Sequence, residues 1–252
     1  MIDVAATVLS NEHIGAEYFK IRLKLARPFG RCAPGQFVMV HIPGHDLFLR
    51  RPFSIYDYSK RCLTIMYRVA GKGTEALSAL TTGGTLTVLG PLGRGFRIDK
   101  SREALIVAGG IGIAGVAALI KRLKGKGTIL FGCSSLQETG LILDFSSLSV
   151  VVSTLDGTYG VKGTVVDLVK QYLSRPGMQD VALYVCGPNS MAKSLVLALQ
   201  DKPLSCQVLV EERMACGLGL CFGCVTKTTD EHEPYKRVCK EGPVFDLWEL
   251  SL

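Results

Sequence analysis

The sequence has no run of five basic residues, no internal repeat and no low-complexity stretch. Its 29 Lys and Arg outnumber its 22 Asp and Glu, but the positive charges are scattered along the chain. A scattered surplus is typical of a solvated surface, so we expect no nucleic-acid partner. The same surplus would still attract an anionic dinucleotide.

Signals for export and for membrane insertion are also missing. The first 15 residues, MIDVAATVLSNEHIG, contain no basic segment followed by an apolar core, so no signal peptide is predicted. We therefore expect a cytoplasmic protein whose thiols stay reduced. Residues 104–120 are uncharged, but they include four glycines, and a buried strand, a turn and a helix explain them better than a membrane span.

Cysteine, in contrast, is abundant and clustered. Four of the nine cysteines form C-x4-C-x2-C followed by a fourth after 14 residues, at Cys216, Cys221, Cys224 and Cys239. This is the plant-type spacing for a [2Fe–2S] cluster. The interleaved glycines fit that interpretation, because a loop that wraps a cluster needs positive φ angles and a close approach of N–H groups to sulfur.

Two alternatives compete with the cluster. Zinc modules usually carry two C-x2-C knuckles, whereas Cys239 stands alone, so the cluster is favoured over zinc. The second alternative is that the cysteines are buried reduced thiols without a metal. This interpretation suits the five cysteines that stand singly beside apolar residues. These are Cys32, Cys62, Cys133, Cys186 and Cys206.

The first hundred residues are rich in short strand patterns. In YFKIRLKL, the side chains of Phe19, Ile21, Leu23 and Leu25 alternate onto one face. Strands separated by Pro and Gly signals, such as Pro34-Gly35 and Pro43-Gly44, favour a sandwich or barrel. The predicted strands are 18–25, 36–42, 62–69 and 85–89.

After Gly93, apolar strands alternate with helical stretches, which predicts a parallel sheet covered by helices. The predicted strands are 104–108, 128–132, 150–154 and 182–186, and the predicted helices are 113–123, 163–173 and 190–199. The last forty or so residues lose this alternation and become rich in Cys and Gly.

Two loops of the α/β region carry nucleotide-binding features. Residues 110–115 read G-x-G-x-x-G between a strand and a helix, although the next strand lacks the acidic residue that usually holds a ribose. A Cys-Gly-Pro loop follows the strand at 182–186, with Asn189 and Ser190 as candidate caps of the next helix. Both loops fall at the carboxyl edge of one sheet, where open α/β sheets bind ligands. In isolation, a glycine-lined contact between strand and helix explains the first loop equally well.

Two segments of the β-rich part suit a flavin nucleotide by residue chemistry. In LRRPFSIYD, Arg51 is able to neutralise a phosphate, Phe53 to pack on a ring and Ser54 to hydrogen-bond a flavin edge. Gly71 and Gly73 would expose backbone N–H groups to a pyrophosphate if Thr74 opens a short helix. The alternatives are a plain strand start and a plain turn.

Taken in order, these motifs resemble the ferredoxin reductase superfamily, and most closely the electron-transfer subunits of class B dihydroorotate dehydrogenases. The resemblance rests on RPFS at 51–54, YRVAGKGT at 67–74, GGIG at 109–112, CGP at 186–188 and ACGLGLCFGC at 215–224. It implies a multidomain β and α/β fold. The implied parts are an FAD-binding antiparallel β-barrel (1–98), an NAD(H)-binding parallel α/β domain (99–208) and a small C-terminal [2Fe–2S] module (209–252).

The resemblance also implies ligands for each part. The implied FAD contacts are Arg51, Pro52, Phe53, Ser54, Met66, Tyr67, Arg68, Gly73 and Thr74. The implied NADH contacts are Gly109, Gly110, Gly112, Cys186, Gly187 and Pro188.

The function implied is electron transfer from NADH through FAD and the cluster to a separate FMN-containing catalytic subunit, in an assembly of two copies of each. That subunit would carry out the dihydroorotate chemistry of pyrimidine synthesis, so no general base is expected in this chain. Two alternatives remain open. One is a paralogous reductase subunit of a hydrogenase or sulfite reductase, and the other is a zinc-stabilised binding protein with no enzymatic activity.

Overall fold

A computed structural model describes residues 1–42, 47–145, 148–178 and 180–252. The predicted Pro43-Gly44 break lies outside this described part. Within it, no helix combines the length and the apolar character needed to cross a membrane.

The N-terminal part is an antiparallel sheet that curls into an open barrel. In the described residues it has seven strands, in the order β4-β3-β7-β1-β2-β6-β5. Their bounds are β1 (Ile2–Gly15), β2 (Tyr18–Leu25), β3 (Phe37–His41), β4 (Arg51–Ser54), β5 (Asp57–Ser59), β6 (Cys62–Arg68) and β7 (Thr85–Leu92). The predicted antiparallel barrel is confirmed.

Alternation of apolar and polar residues explains how the barrel strands bury one face. In β2, Ile21, Leu23 and Leu25 are fully buried, whereas Phe19 near the strand's start is half-buried. One short helix, α1 (Lys72–Ser78), lies between β6 and β7. The prediction that Thr74 opens this helix is wrong: Gly71 is the N-cap, and Thr74 lies in the first turn.

The second sheet is parallel and carries helices on its faces. Its strands are β8 (Glu103–Gly109), β9 (Thr128–Cys133), β10 (Ser149–Thr154), β11 (Val161–Lys162), β12 (Val181–Cys186) and β13 (Cys206–Leu209). Its helices are α2 (Ile113–Leu123), α3 (Val165–Leu173) and α4 (Asn189–Leu199). The predicted bounds of α2 are confirmed at both ends, and α4 begins at Asn189 with Pro188 as its N-cap, so neither predicted capping residue caps it.

The C-terminal segment forms a hairpin and then returns to the second sheet. The hairpin pairs β14 (Val225–Lys227) with β15 (Tyr235–Arg237). The last strand, β16 (Val244–Asp246), pairs antiparallel with β13, so the described part of the sheet has the order β11-β10-β9-β8-β12-β13-β16. The cysteine-rich segment is therefore attached to the edge of the α/β sheet.

Hydrogen bonds tie the barrel to the α/β sheet. The Tyr18 hydroxyl donates to Glu138 at 2.5 Å. Asp144 accepts from Lys20 at 2.9 Å and from the Tyr56 hydroxyl at 2.7 Å. Both carboxylates lie in the 3₁₀ segment Leu136–Phe145, which follows β9. This segment fixes the barrel over the carboxyl edge of the parallel sheet.

Candidate functional site

A cavity of about 570 Å³ opens at the carboxyl edge of the parallel sheet. Both predicted nucleotide loops line it: Gly109, Gly110 and Gly112 after β8, and Gly187 and Pro188 after β12. The two loops that sequence analysis placed on one edge thus meet in one cavity.

Glycine is required at position 112, where the two loops touch. A Cβ on Gly112 would lie 2.4 Å from the backbone carbonyl oxygen of Cys186. Among the described residues that line the cavity, Cys186 is not included, although it was a predicted NADH contact. Its thiol is fully buried, and a Cβ on Gly115 would lie 2.6 Å from its sulfur. Burial also raises the pKa of this thiol well above its usual value, so Cys186 is a packing residue beneath the loop.

The barrel contributes the opposite wall of the cavity. Tyr18 and Arg68 line it from β2 and β6, and Glu138 lines it from the 3₁₀ segment. Burial, together with the hydrogen bond to Glu138, raises the pKa of the Tyr18 hydroxyl above its usual value, so it stays a proton donor. The second carboxylate oxygen of Glu138 accepts from the Ser134 N–H at 2.6 Å, which holds the loop after β9.

A smaller pocket of about 170 Å³ lies beside the RPFS strand. Pro52, Phe53 and Ser54 line one side, and the segment from Leu209 to Glu212 lines the other together with Met214. In the described residues, Glu211 is the one side chain that lines both this pocket and the larger cavity. The side chain is solvent-accessible in the open cleft, yet the surrounding protein displaces enough water to raise the pKa of its carboxyl above the usual value.

Of the other predicted flavin contacts, Arg51 and Thr74 lie at helix α1, whereas Met66 and Tyr67 are buried in β6. Arg51 lies against α1, since a Cβ on Gly73 would be 2.7 Å from its Nε. The Thr74 hydroxyl is already engaged, because it accepts from the N–H groups of Ala70 and Gly71 at 2.8 and 3.2 Å. Met66 and Tyr67 have side chains buried in the protein interior, which leaves only their backbone atoms for a ligand.

The four clustered cysteines come together as two pairs. The side chain of Cys221 is close enough to lower the pKa of Cys216, and that of Cys224 is close enough to raise the pKa of Cys239, on which Cys216 also acts more weakly. The β14–β15 hairpin creates the second pair: Cys224 precedes β14, Cys239 follows β15, and the Val238 N–H donates to the Cys224 carbonyl at 2.8 Å. Cys224 and Cys239 are buried, whereas Cys221 is exposed.

Backbone N–H groups surround the sulfur atoms of this loop. Donors reach Cys216 from Leu218 at 3.3 Å, Cys221 from Gly223 at 3.4 Å and Cys224 from Cys239 at 3.4 Å. Although burial acts in the opposite direction, the N–H donors lower the pKa of the Cys216 thiol to about 6, which favours the thiolate that binds metal.

The four thiols fit the metal group that their spacing predicts. Cys216 lies near Cys221, and Cys224 lies near Cys239, which suits two irons that share four thiolates.

Comparison with known proteins agrees with this geometry. Residues 211–251 match the iron–sulfur cluster binding domain of dihydroorotate dehydrogenase B. The electron transfer subunit of dihydroorotate dehydrogenase B (NAD(+)) from Caldanaerobacter subterraneus is 40% identical over 244 residues, covering 95% of each chain. The corresponding Listeria welshimeri subunit is 36% identical over 265 residues and covers 100% of both. This chain belongs to that family.

Solved structures support the same fold. The NADH-dependent reduced ferredoxin–NADP oxidoreductase superposes with a TM-score of 0.85 at 26% identity, covering 98% of this chain and 89% of that one. The ferredoxin reductase of carbazole 1,9a-dioxygenase, at 20% identity and a TM-score of 0.71, covers 82% of this chain and 68% of its own, and shows the fold alone. The predicted resemblance and the ferredoxin reductase-like fold are both confirmed.

Sequence analysis missed three residues that line the nucleotide cavity: Tyr18, Glu138 and Glu211. Glu211 carried a usable signal, because an acidic residue that follows a strand of a parallel sheet lies at its ligand-binding edge. The others had none, since Tyr18 and Glu138 are 120 residues apart in sequence and meet only in the folded chain.

Proposed function

We propose that this chain transfers electrons from NADH, through FAD and a [2Fe–2S] cluster, to an FMN-containing subunit that interconverts dihydroorotate and orotate. One observation carries the proposal: a single segment of the chain, from Leu209 to Cys216, reaches all three sites. Glu211 lines the nucleotide cavity, the segment from Leu209 to Met214 lines the RPFS pocket, and Cys216 follows two residues later.

The residues of each site have distinct tasks in this proposal. The glycine loops after β8 and β12 bind NADH in the large cavity, and Pro52, Phe53 and Ser54 hold the flavin ring in the adjoining pocket. Arg51 and the backbone at Gly73 and Thr74 hold the FAD phosphates. When bound, FAD exchanges hydride with nicotinamide and single electrons with an iron–sulfur cluster.

The four cysteines would hold the cluster as the pairs described above, Cys216 with Cys221 and Cys224 with Cys239. We further propose that the chain divides functionally into 1–98, 99–208 and 209–252, with β16 crossing back to the α/β sheet. Reduced thiols in the cytoplasm suit this ligand set.

Electrons would leave at the exposed cysteine. Cys221 is surrounded in sequence by Leu218, Leu220 and Phe222, which are 37%, 76% and 60% exposed. Exposed apolar side chains gathered around a ligand mark an interaction surface. We propose that the FMN-containing subunit docks on these three side chains, the docking patch, in an assembly of two copies of each subunit.

The test compares the activity of the purified chain alone with its activity in the presence of the FMN-containing subunit. We expect the purified chain with NADH to reduce an artificial dye but to convert no orotate, because it has no site for that substrate in this proposal. Adding the FMN-containing subunit should start NADH-dependent orotate reduction. Orotate turnover by this chain alone, or none with the partner present, would contradict the proposal. A partner from a hydrogenase or sulfite reductase that restores turnover of its own substrate would favour the paralogous reductase.

A further inference from the structure

Arg237 contacts the cysteine loop (residues 216–224) but is not itself a candidate metal ligand. Its Nη1 donates to the carbonyl oxygen of Gly219 at 2.9 Å, and its guanidinium lies 4.7 Å from the ring centroid of Phe222. Gly219 lies between Cys216 and Cys221, and Phe222 lies between Cys221 and Cys224. One side chain therefore contacts both arcs of the loop.

Glu241 holds this guanidinium in place. Its two carboxylate oxygens accept from Nε at 3.0 Å and from Nη2 at 2.6 Å, a bidentate pair. Glu241 also accepts from the Arg237 backbone N–H at 2.8 Å. The two side chains are 22% and 24% exposed, so this pair is more shielded from solvent than a typical surface ion pair.

The carbonyl that Arg237 holds shares its peptide group with an N–H that faces a cysteine sulfur. The Leu220 N–H is close enough to the sulfur of Cys216 to help lower the pKa of that thiol. The Gly219–Leu220 peptide is trans, and a trans peptide points its C=O and its N–H in opposite directions. Fixing the Gly219 carbonyl against Arg237 therefore fixes the Leu220 N–H against Cys216.

We propose that Arg237 is a positioning residue that sets the reduction potential of the cluster by orienting the Gly219–Leu220 peptide. Hydrogen bonds to the cluster sulfurs stabilise the more negative, reduced state and so raise the potential. Without Arg237, the peptide loses this restraint, and the Leu220 N–H is no longer held toward Cys216. The inference rests on the proposed iron–sulfur function of the four cysteines.

The experiment compares Arg237→Gln and Arg237→Lys in the full chain. For Arg237→Gln we expect the oxidised-to-reduced ratio of the cluster at a fixed potential to rise about tenfold, which for one electron is a fall of about 59 mV in midpoint potential. After exchange into D₂O, pulsed EPR of the reduced cluster should show one fewer strongly coupled deuteron. Arg237→Lys, which keeps a donor within reach of Gly219, should restore that coupling and most of the potential.

Arg61→Gln is the matched control, because Arg61 also donates to a backbone carbonyl, that of Ala26 at 3.2 Å, but does so in the barrel. It should leave both readouts unchanged. Unaltered deuteron couplings in Arg237→Gln would overturn the inference, even with a lower potential, since lost charge alone explains that result. If Arg237→Gln retains no iron, Glu241→Gln decides by the same measurements: weaker coupling supports the inference and unchanged coupling overturns it. A wild-type chain without a [2Fe–2S] spectrum would instead refute the proposed function.

Discussion

Glu211 stands where the nucleotide cavity and the RPFS pocket meet, and it carries the only carboxylate described as lining both. Glu138 shares the larger cavity but is already engaged by Tyr18 and Ser134. The carboxyl of Glu211 therefore faces the space that the nicotinamide and flavin rings would share, and its protonation state matters to electron transfer there.

Glu211→Gln tests this role through pH. The raised pKa keeps the carboxyl neutral to a higher pH than usual, and above that pKa its negative charge disfavours the added electrons of the flavin. We expect flavin reduction by NADH to slow as pH rises through this pKa in the wild type and to stay level in Glu211→Gln. At high pH the variant should be faster by about fivefold, the effect of about 1 kcal/mol from one screened charge.

Stopped-flow absorbance under anaerobic conditions measures these rates across pH. Glu231→Gln serves as the control, because this exposed carboxylate lies in the hairpin turn, away from both cavities. Matching pH profiles for wild type and Glu211→Gln would refute the assigned role.

From residue chemistry we could predict candidate ligands whose spacing in sequence is local, but not site residues that are brought together only by distant contacts. The four cysteines stand in a spacing that one loop and one hairpin realise, so sequence alone locates them. The contact of Arg237 with the cysteine loop was missed because Arg237 looks like an ordinary basic residue in the sequence. Its proposed role depends on a hydrogen bond to Gly219, 18 residues earlier.

At the scale of elements, two local patterns gave accurate bounds. β2 alternates from Phe19 onward, whereas α2 is apolar from Ile113 to Ile120 and ends in basic residues, and both match their predicted ends. β1 was missed, because its alternation at Val4, Ala6 and Val8 is carried by small residues and then gives way to a polar stretch. β16 was missed for another reason: three residues have too little pattern to show that they pair with β13.

The cysteine loop is the element that we expect to meet the partner subunit, and Leu220→Glu tests this. A carboxylate placed in a buried apolar contact costs about 2 kcal/mol or more, which is at least a thirtyfold loss of affinity. We therefore expect the variant to lose co-purification with the FMN-containing subunit while keeping NADH-dependent dye reduction.

Leu197→Glu is a matched control, since Leu197 on α4 is similarly exposed, at 69% against 76% for Leu220. It should retain both the partner and dye reduction. If Leu220→Glu binds the partner as tightly as Leu197→Glu does, the docking patch is wrongly assigned.

Across the whole molecule, the two sheets and the cysteine loop bring the nucleotide cavity, the RPFS pocket and the clustered cysteines close to one another along the segment from Leu209 to Cys216. The barrel and the parallel sheet are joined through Tyr18, Lys20 and Tyr56, so the nucleotide cavity has walls from both. The cysteine loop packs on the barrel as well, because a Cβ on Gly217 would lie 2.6 Å from Cγ of Met39. This arrangement depends on strand order and long-range pairing, which local patterns do not specify, although the family resemblance implied it.

The central claim is that electrons pass from NADH to FAD and then to a [2Fe–2S] cluster within this chain. The most direct test is the visible spectrum of the anaerobically purified protein, recorded before and after NADH is added. The account predicts flavin bands with a broad iron–sulfur shoulder, both bleached by NADH. A colourless protein that contains zinc, or flavin and cluster bands that NADH leaves unchanged, would contradict it.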